Sequence, residues 1–140
     1  MTSTVPVHAT TIAIDGRGVM IEGPSGAGKS DLALRLIDRG AMLVSDDYTE
    51  ITAADGVLIA APPATIAGQI EVRGVGIVSL PHRAEIPVAL LVTLGCGVDR
   101  MPETQVRMVA GVIVATIALD AFEASAPIKV EIALSRLLQG

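Results

Sequence analysis

Tryptophan is absent from this sequence, and Phe122 and Tyr48 are its only phenyl-bearing residues. A core without aromatics must fill its volume with aliphatic side chains, and Ala, Val, Ile and Leu supply most of the 51% hydrophobic content. Such a composition suits the tight aliphatic layers of an α/β protein. Cys96 is the sole cysteine, which excludes an intrachain disulfide and a cysteine-rich zinc site. Flanked by Gly95 and Gly97, it reads as a small buried residue. Cations are few and dispersed: 10 Lys and Arg stand against 15 Asp and Glu, for a formal net charge of -5. Neutralising a nucleic-acid backbone needs clustered Lys and Arg, so nucleic acid is not an expected partner. Long apolar runs are missing too. The longest, residues 87–96 and 108–119, fall short of the roughly 18–20 residues that span a bilayer and read as buried strands with their turns. Residues 1–8 lack the basic and apolar regions of a secretory signal. The expectation is a cytoplasmic protein without a membrane partner.

A chain of 140 residues is long enough for one domain with a real core. No internal repeat, low-complexity tract or linker divides it, so residues 1–140 are expected to form a single α/β domain. Residues 11–14 and 19–22 are β-rich around Asp15, Gly16, Arg17 and Gly18, a composition that turns tightly into a hairpin. From Lys29 to Arg39 the period becomes helical: Leu32/Leu36 and Ala33/Ile37 repeat at i,i+4, Asp31 and Arg35 lie outside, and Gly40 supplies the stop. Strands follow at 41–44, at 49–53 and 57–60 around Asp55-Gly56, at 75–80, at 87–94, and at 106–109 and 112–119 joined by Ala110-Gly111. The last element is a helix with Ser125 as its cap and Pro127 in its first turn; Val130, Ala133, Leu134, Leu137 and Leu138 repeat along one face. The predicted fold is thus α/β: a single P-loop-containing domain, with a strand-rich mixed sheet, a P-loop helix and a C-terminal helix.

Between the second strand and the first helix stand Gly23, Pro24, Ser25, Gly26, Ala27, Gly28, Lys29 and Ser30, the P-loop pattern Gly-x4-Gly-Lys-Ser. Its glycines let successive backbone N–H groups turn around phosphate oxygens while the following helix presents its positive end. Lys29 neutralises the outer phosphates, and the Ser30 hydroxyl is a Mg2+ ligand in such loops. A nucleoside triphosphate or related polyphosphate with Mg2+ is therefore the expected ligand. Asp46 and Asp47 follow the strand at 41–44, where a parallel sheet presents side chains to its ligand crevice. Two adjacent acids permit one to serve the metal and the other to accept a proton from an attacking hydroxyl; a solvated turn is the alternative. Glu71 and Arg73 stand two apart and, if extended, project to one face, as functional groups or as a surface ion pair. His8, His82 and Arg83 carry no assignment from spacing alone.

Taken in order, several segments resemble the catalytic domain of HPr kinase/phosphorylase, a bacterial family that phosphorylates a serine of the phosphocarrier protein HPr. They are Val-His-Ala-Thr at 7–10, Gly-Val-Met-Ile at 18–21 running into the P-loop, Arg39-Gly40, Leu-Val-Ser-Asp-Asp at 43–47, and Glu-Val-Arg-Gly-Val-Gly-Ile at 71–77. The last follows the family's Glu-Ile-Arg-Gly-Leu-Gly-Ile motif, which ordinary P-loop kinases lack. The resemblance implies an ATP- and Mg2+-dependent HPr serine kinase within the regulation of the phosphotransferase system, with HPr as partner. Its reverse reaction consumes inorganic phosphate and releases pyrophosphate. In residue terms, Lys29 and the loop backbone hold the phosphates, and Ser30, Asp47 and Glu71 place Mg2+. Asp46 is the general base, Arg73 stabilises phosphoryl charge, and His8 positions the catalytic carboxylate or the phosphate. Long-form members are hexamers, which extends the expectation of a homo-oligomer to this chain. With the P-loop beginning at Gly23, no counterpart of the long form's N-terminal domain is expected, and Ser-Ala-Pro-Ile-Lys at 125–129 stands where the long form has its basic Pro-Gly-Arg-Asn segment. Both features resemble the short form of α-proteobacteria. A small-molecule P-loop kinase and a non-catalytic nucleotide sensor are the alternatives the residues leave open.

Overall fold

The computed structural model describes residues 4–95, 97 and 105–139; the expectation for Cys96 lies outside them. In chain order the elements are β1 (Thr4–Val7), β2 (Thr10–Ile14), β3 (Arg17–Glu22), α1 (Lys29–Asp38), β4 (Met42–Ser45), β5 (Thr49–Ala54) and β6 (Val57–Ala61). A 3-10 turn at Ala64–Ile66 leads to β7 (Gln69–Val72), β8 (Gly76–Ser79), β9 (Ile86–Leu94), β10 (Gln105–Val109), β11 (Val112–Leu119) and α2 (Ala126–Gln139).

The large sheet is mixed, running β1-β5-β6-β9-β3-β2-β4, with β11 on β9 and β10 on β11; β7 and β8 form a separate hairpin. β3, β9 and β11 are mutually parallel, while β2 lies antiparallel to both β3 and β4. β4 therefore runs in the direction of β3. Four strands, β3, β4, β9 and β11, deliver their C-terminal ends to one edge of the sheet, where ligands of α/β proteins bind.

Alternation along the central strands buries both faces. Val19, Ile21, Leu90, Val92 and Leu94 face one core together with Leu32, Ala33 and Leu36 of α1 and Val130 and Leu134 of α2. Met20 and Leu91 face the other, with Ile51, Leu58 and Val114. The two-residue hairpins turn where expected: Asp15-Gly16, Asp55-Gly56 and Ala110-Gly111 all carry positive φ at both positions, the geometry that matches strand twist.

Four expectations need correction. β1 escaped the sequence reading, because Thr-Val-Pro-Val is short and its exposed residues alternate with nothing; pairing with β5 makes it a strand. The strand expected at 75–80 begins at Gly76, since residues 73–75 form the hairpin turn after β7. The run at 108–119 is only partly buried, for Met108 and Ile113 are exposed, as is Val106, on the outermost hairpin. Leu137 and Leu138, on the last turn of α2, also lie exposed. A polar tie from α1 to α2 adds to their shared apolar core: Arg39 forks onto both carboxylate oxygens of Glu131 at 2.8–3.0 Å. That hydrogen bond, and then the charge of Glu131, holds the guanidinium pKa above its usual value. Among the described residues no helix is long and apolar enough to cross a membrane.

Candidate active site

At the sheet edge defined by the strand ends, residues 23–28 link β3 to α1. Gly28 has φ +95, and a Cβ there would stand 3.0 Å from the Ala121 Cβ, so both conformation and space demand glycine. Lys29, the first residue of α1, is buried, and its Nζ donates to the carbonyl oxygens of Gly23 at 2.8 Å and Pro24 at 3.4 Å. The helix begins without a side-chain cap, which leaves its first N–H groups facing the loop.

Asp46 is the most heavily engaged residue of the site. Its Oδ1 accepts from the Ser30 hydroxyl at 2.6 Å and from Thr10 Oγ1 at 3.1 Å, while Oδ2 accepts the Glu71 backbone N–H at 3.0 Å. Only 7% of Asp46 is exposed, so a carboxylate is held in the interior by three donors. Asp47 turns the other way. Its carboxylate lies in the open, 2.8 Å from His8 Nε2.

Neighbouring side chains diverge like this because of a γ-turn. The Tyr48 N–H bonds back to the Asp46 carbonyl at 2.7 Å, and Asp47 between them has φ 67. A left-handed, non-glycine γ-turn costs about 1–3 kcal/mol and persists only where its surroundings determine it. Thr10 and Ser45 do so here. The Asp47 N–H donates to Thr10 Oγ1 at 3.1 Å, and the Ser45 hydroxyl donates to the Tyr48 carbonyl. One hydroxyl, that of Thr10, thus serves both acids, accepting from Asp47 and donating to Asp46. Across from this turn, the Ala9 N–H bonds to the Val7 carbonyl at 3.0 Å, a second tight turn that presents His8. The Tyr48 ring lies against the imidazole, with centroids 5.1 Å apart.

The structure therefore gathers Lys29, Ser30, Asp46, Asp47 and His8, and it does so with Asp46, not Asp47, on Ser30. Glu71 reaches the cluster through its backbone N–H; its side chain is exposed. Arg73 sits in the β7–β8 turn rather than in an extended strand, and among the described residues no ion pair joins it to Glu71. Thr10 and Tyr48 were missed by sequence reasoning. The available signal was position: Thr10 is two residues from His8, and Tyr48 directly follows the acid pair. A cavity of about 430 Å³, lined by Ile14, Arg17, Arg39, Glu131, Leu134 and Leu138 among others, opens at the opposite end of α1, away from this chemistry.

The donor set fits Mg2+: a hydroxyl and a carboxylate in contact beside a loop with the Gly-x4-Gly-Lys-Ser sequence. Among the described residues no three His, Cys, Asp or Glu converge on one point, so a full protein cage is not on offer. Mg2+ bound largely through phosphates and water needs none.

Fold and motif together define the class, a mixed-sheet α/β protein with a Gly-Lys-Ser loop between strand and helix. Residues 1–83 match the HPr Serine kinase C-terminal domain family, and the chain belongs to that family. It is 43% identical over 74 residues to the HPr kinase/phosphorylase of Clostridium botulinum, an alignment covering 53% of this chain and 24% of that protein. With the HPr kinase/phosphorylase of a Geobacillus species the identity is 45% over 78 residues, covering 55% and 25% of the two chains. The chain spans about a quarter of the length of these curated relatives. The structure of the Hpr(Ser) kinase/phosphatase from Coxiella burnetii superposes with a TM-score of 0.84 at 29% identity, covering 97% of this chain and 99% of that one.

Proposed function

We propose that this chain is an ATP- and Mg2+-dependent protein serine kinase acting on the phosphocarrier HPr, with phosphorolysis as its reverse reaction. The observation that carries this reading is the pair of differently posed acids at the mouth of the Gly-Lys-Ser loop: Asp46 on Ser30, Asp47 on His8. Membership of the family supplies the acceptor.

The geometry favours exchanging the roles that the sequence suggests for the acids. Asp46 and Ser30 are the metal-side groups, since their oxygens are in contact and Asp46 is buried and immobilised. Bound there with the nucleotide, Mg2+ supplies charge neutralisation at the phosphates. Lys29 shares that task at the outer phosphates, and Arg73, two residues beyond Glu71, is assigned to charge on the transferred group. Asp47 is the base: its exposed carboxylate receives the proton of the seryl hydroxyl as that oxygen attacks the γ-phosphorus, and His8 at 2.8 Å fixes its orientation. In reverse, a phosphate oxygen attacks the phosphorus of phosphoserine, pyrophosphate forms, and protonated Asp47 returns its proton to the serine oxygen.

A protein acceptor is favoured over a small molecule by the rim. Val75 and Ile77, on the hairpin that anchors Asp46, are 76% and 72% exposed, apolar surface of the kind that docks another protein. With Mg2+-ATP and either HPr or a panel of small hydroxylated acceptors, ATP consumption is expected to respond to HPr alone. Turnover on a small acceptor with none on HPr would replace this reading with that of a small-molecule kinase.

The shared hydroxyl gives a sharper expectation. Thr10→Val keeps the volume but removes the acceptor of the part-buried Asp47 N–H and a donor to buried Asp46, an expected cost of about 1–3 kcal/mol. Misalignment of the base is expected to lower kcat about 10- to 100-fold with little change in KM for ATP. Thr10→Ser is expected to restore most of it. Steady-state kinetics on the two variants check this, with Thr11→Val, which deletes a buried hydroxyl bonded to Thr49 instead, as the matched control.

A further inference from the structure

We propose that Phe122 is the nucleobase platform of this site, its ring stacking on the base of the nucleotide whose phosphates residues 23–30 hold. This rests on the nucleotide-binding part of the reading above and is independent of the acceptor.

In a chain with one phenylalanine and no tryptophan, that ring would be expected in the core. Instead Phe122 is 71% exposed. Its position is nevertheless fixed against the loop. Ring atoms Cε1 and Cζ lie 3.6 and 3.7 Å from the point a Cβ on Gly28 would occupy. The connection between β11 and α2 that carries the ring is braced from both sides. The Phe122 N–H donates to Asp120 Oδ1 at 2.9 Å, and the Glu123 N–H donates to the Asp120 carbonyl at 3.3 Å. From α1, Arg35 donates to the carbonyls of Ala121 and of Glu123, and Arg35 is itself paired with Asp31 at 3.1 Å. Ala121 is buried, so the exposed ring projects from an anchored backbone.

Topology places this ring on the side where a base must lie. Because β11 is parallel to β9 and β9 to β3, the chain leaving β11 emerges at the same sheet edge as the phosphate loop. Asp47, His8 and Tyr48 occupy the flank of the loop reached from β2 and β4, on the other side of β3. A nucleotide that points its γ-phosphate at Asp47 directs its ribose and base away from that flank, toward β9 and β11. Among the described residues on that side, Phe122 is the one aromatic ring. The carboxylates beside it in sequence are already engaged, Asp120 by the Phe122 N–H and Glu123 by Lys129. Stacking engages the π-face that every base shares, so the platform should accept adenine and guanine alike.

Calorimetric titration of the full chain with Mg2+-ATP, Mg2+-GTP and Mg2+-pyrophosphate tests this. Stacking worth about 1–3 kcal/mol per base predicts that Phe122→Ala weakens both nucleotides about 5- to 150-fold. Pyrophosphate, having no base, should stay within about twofold, and Phe122→Tyr should restore nucleotide binding. Equal weakening of all three would make the ring a prop of the loop and overturn the proposal; so would unchanged nucleotide affinity. Wild-type protein that binds pyrophosphate but neither nucleotide would overturn it too, leaving the phosphate site intact. Failure to phosphorylate HPr alongside normal nucleotide titrations would count against the acceptor alone.

Discussion

Asp47→Asn is expected to lower kcat for phosphoryl transfer about 10²- to 10⁴-fold, the range general-base catalysis contributes, while Mg2+-ATP affinity stays within about threefold. The substitution is nearly isosteric, and Asn tolerates the left-handed conformation that Asp47 adopts at φ 67. Its side-chain oxygen still reaches His8, so the γ-turn and its bonds to Thr10 should survive. What is lost is a group able to take up the proton of the hydroxyl. Because Asp47 is exposed and distant in bonding terms from Ser30, the nucleotide should scarcely register the change. Steady-state kinetics with parallel calorimetry reads both quantities. If Asp46→Asn rather than Asp47→Asn gave a pure kcat defect at intact affinity, the assignment of the two acids would have to be exchanged again.

Asp46→Asn should fail in a different way. Every oxygen of this carboxylate is an acceptor: Ser30 and Thr10 donate to one, the Glu71 N–H to the other. An amide offers one acceptor and one donor. Turned toward Glu71, its NH2 opposes a backbone N–H that cannot rotate away; turned toward Ser30 and Thr10, it meets two hydroxyls that must rotate from donating to accepting, Thr10 while still accepting the Asp47 N–H. Either choice removes charge-assisted bonds worth about 1.5–3 kcal/mol each before compensation. A net loss of about 2 kcal/mol is expected. For a chain of this size that is about 6 °C in Tm. Mg2+-dependent nucleotide affinity should fall at least about tenfold, since the metal-side carboxylate loses its charge. Thermal unfolding and titration at several Mg2+ concentrations would detect both, and an unchanged Tm would contradict the three-donor account of this residue.

Residue pattern alone disclosed much of this. The Gly-Lys-Ser loop, the acid pair, the two-residue hairpins and the apolar face of α1 are all local signals, and each lies where its local chemistry indicates. What stayed hidden was set by contacts between distant segments. β1 is a strand only through β5. The division between Asp46 and Asp47 depends on a positive φ stabilised by Thr10, 37 residues away in sequence, and no spacing rule assigns one of two adjacent acids to the interior. Extension through Arg73 stayed a condition because a Gly-rich stretch carries little periodicity; the turn declared itself only once β7 met β8. Leu137 and Leu138 continue a helical repeat faithfully, yet both stand exposed, since periodicity fixes a face and not what packs on it. The exposed Phe122 is invisible to pattern reading for the complementary reason, since its surroundings are made by α1 and the loop before it.

The central claim is transfer of a phosphoryl group from ATP to a seryl oxygen of HPr. It is tested most directly by incubating the chain with Mg2+-ATP and HPr and locating the acid-stable phosphate by peptide mass spectrometry. The account predicts a single phosphorylated serine, formed at least about 100-fold more slowly by Asp47→Asn protein and removed again on adding inorganic phosphate, with pyrophosphate appearing. Unmodified HPr after incubation with protein that demonstrably binds Mg2+-ATP would contradict it.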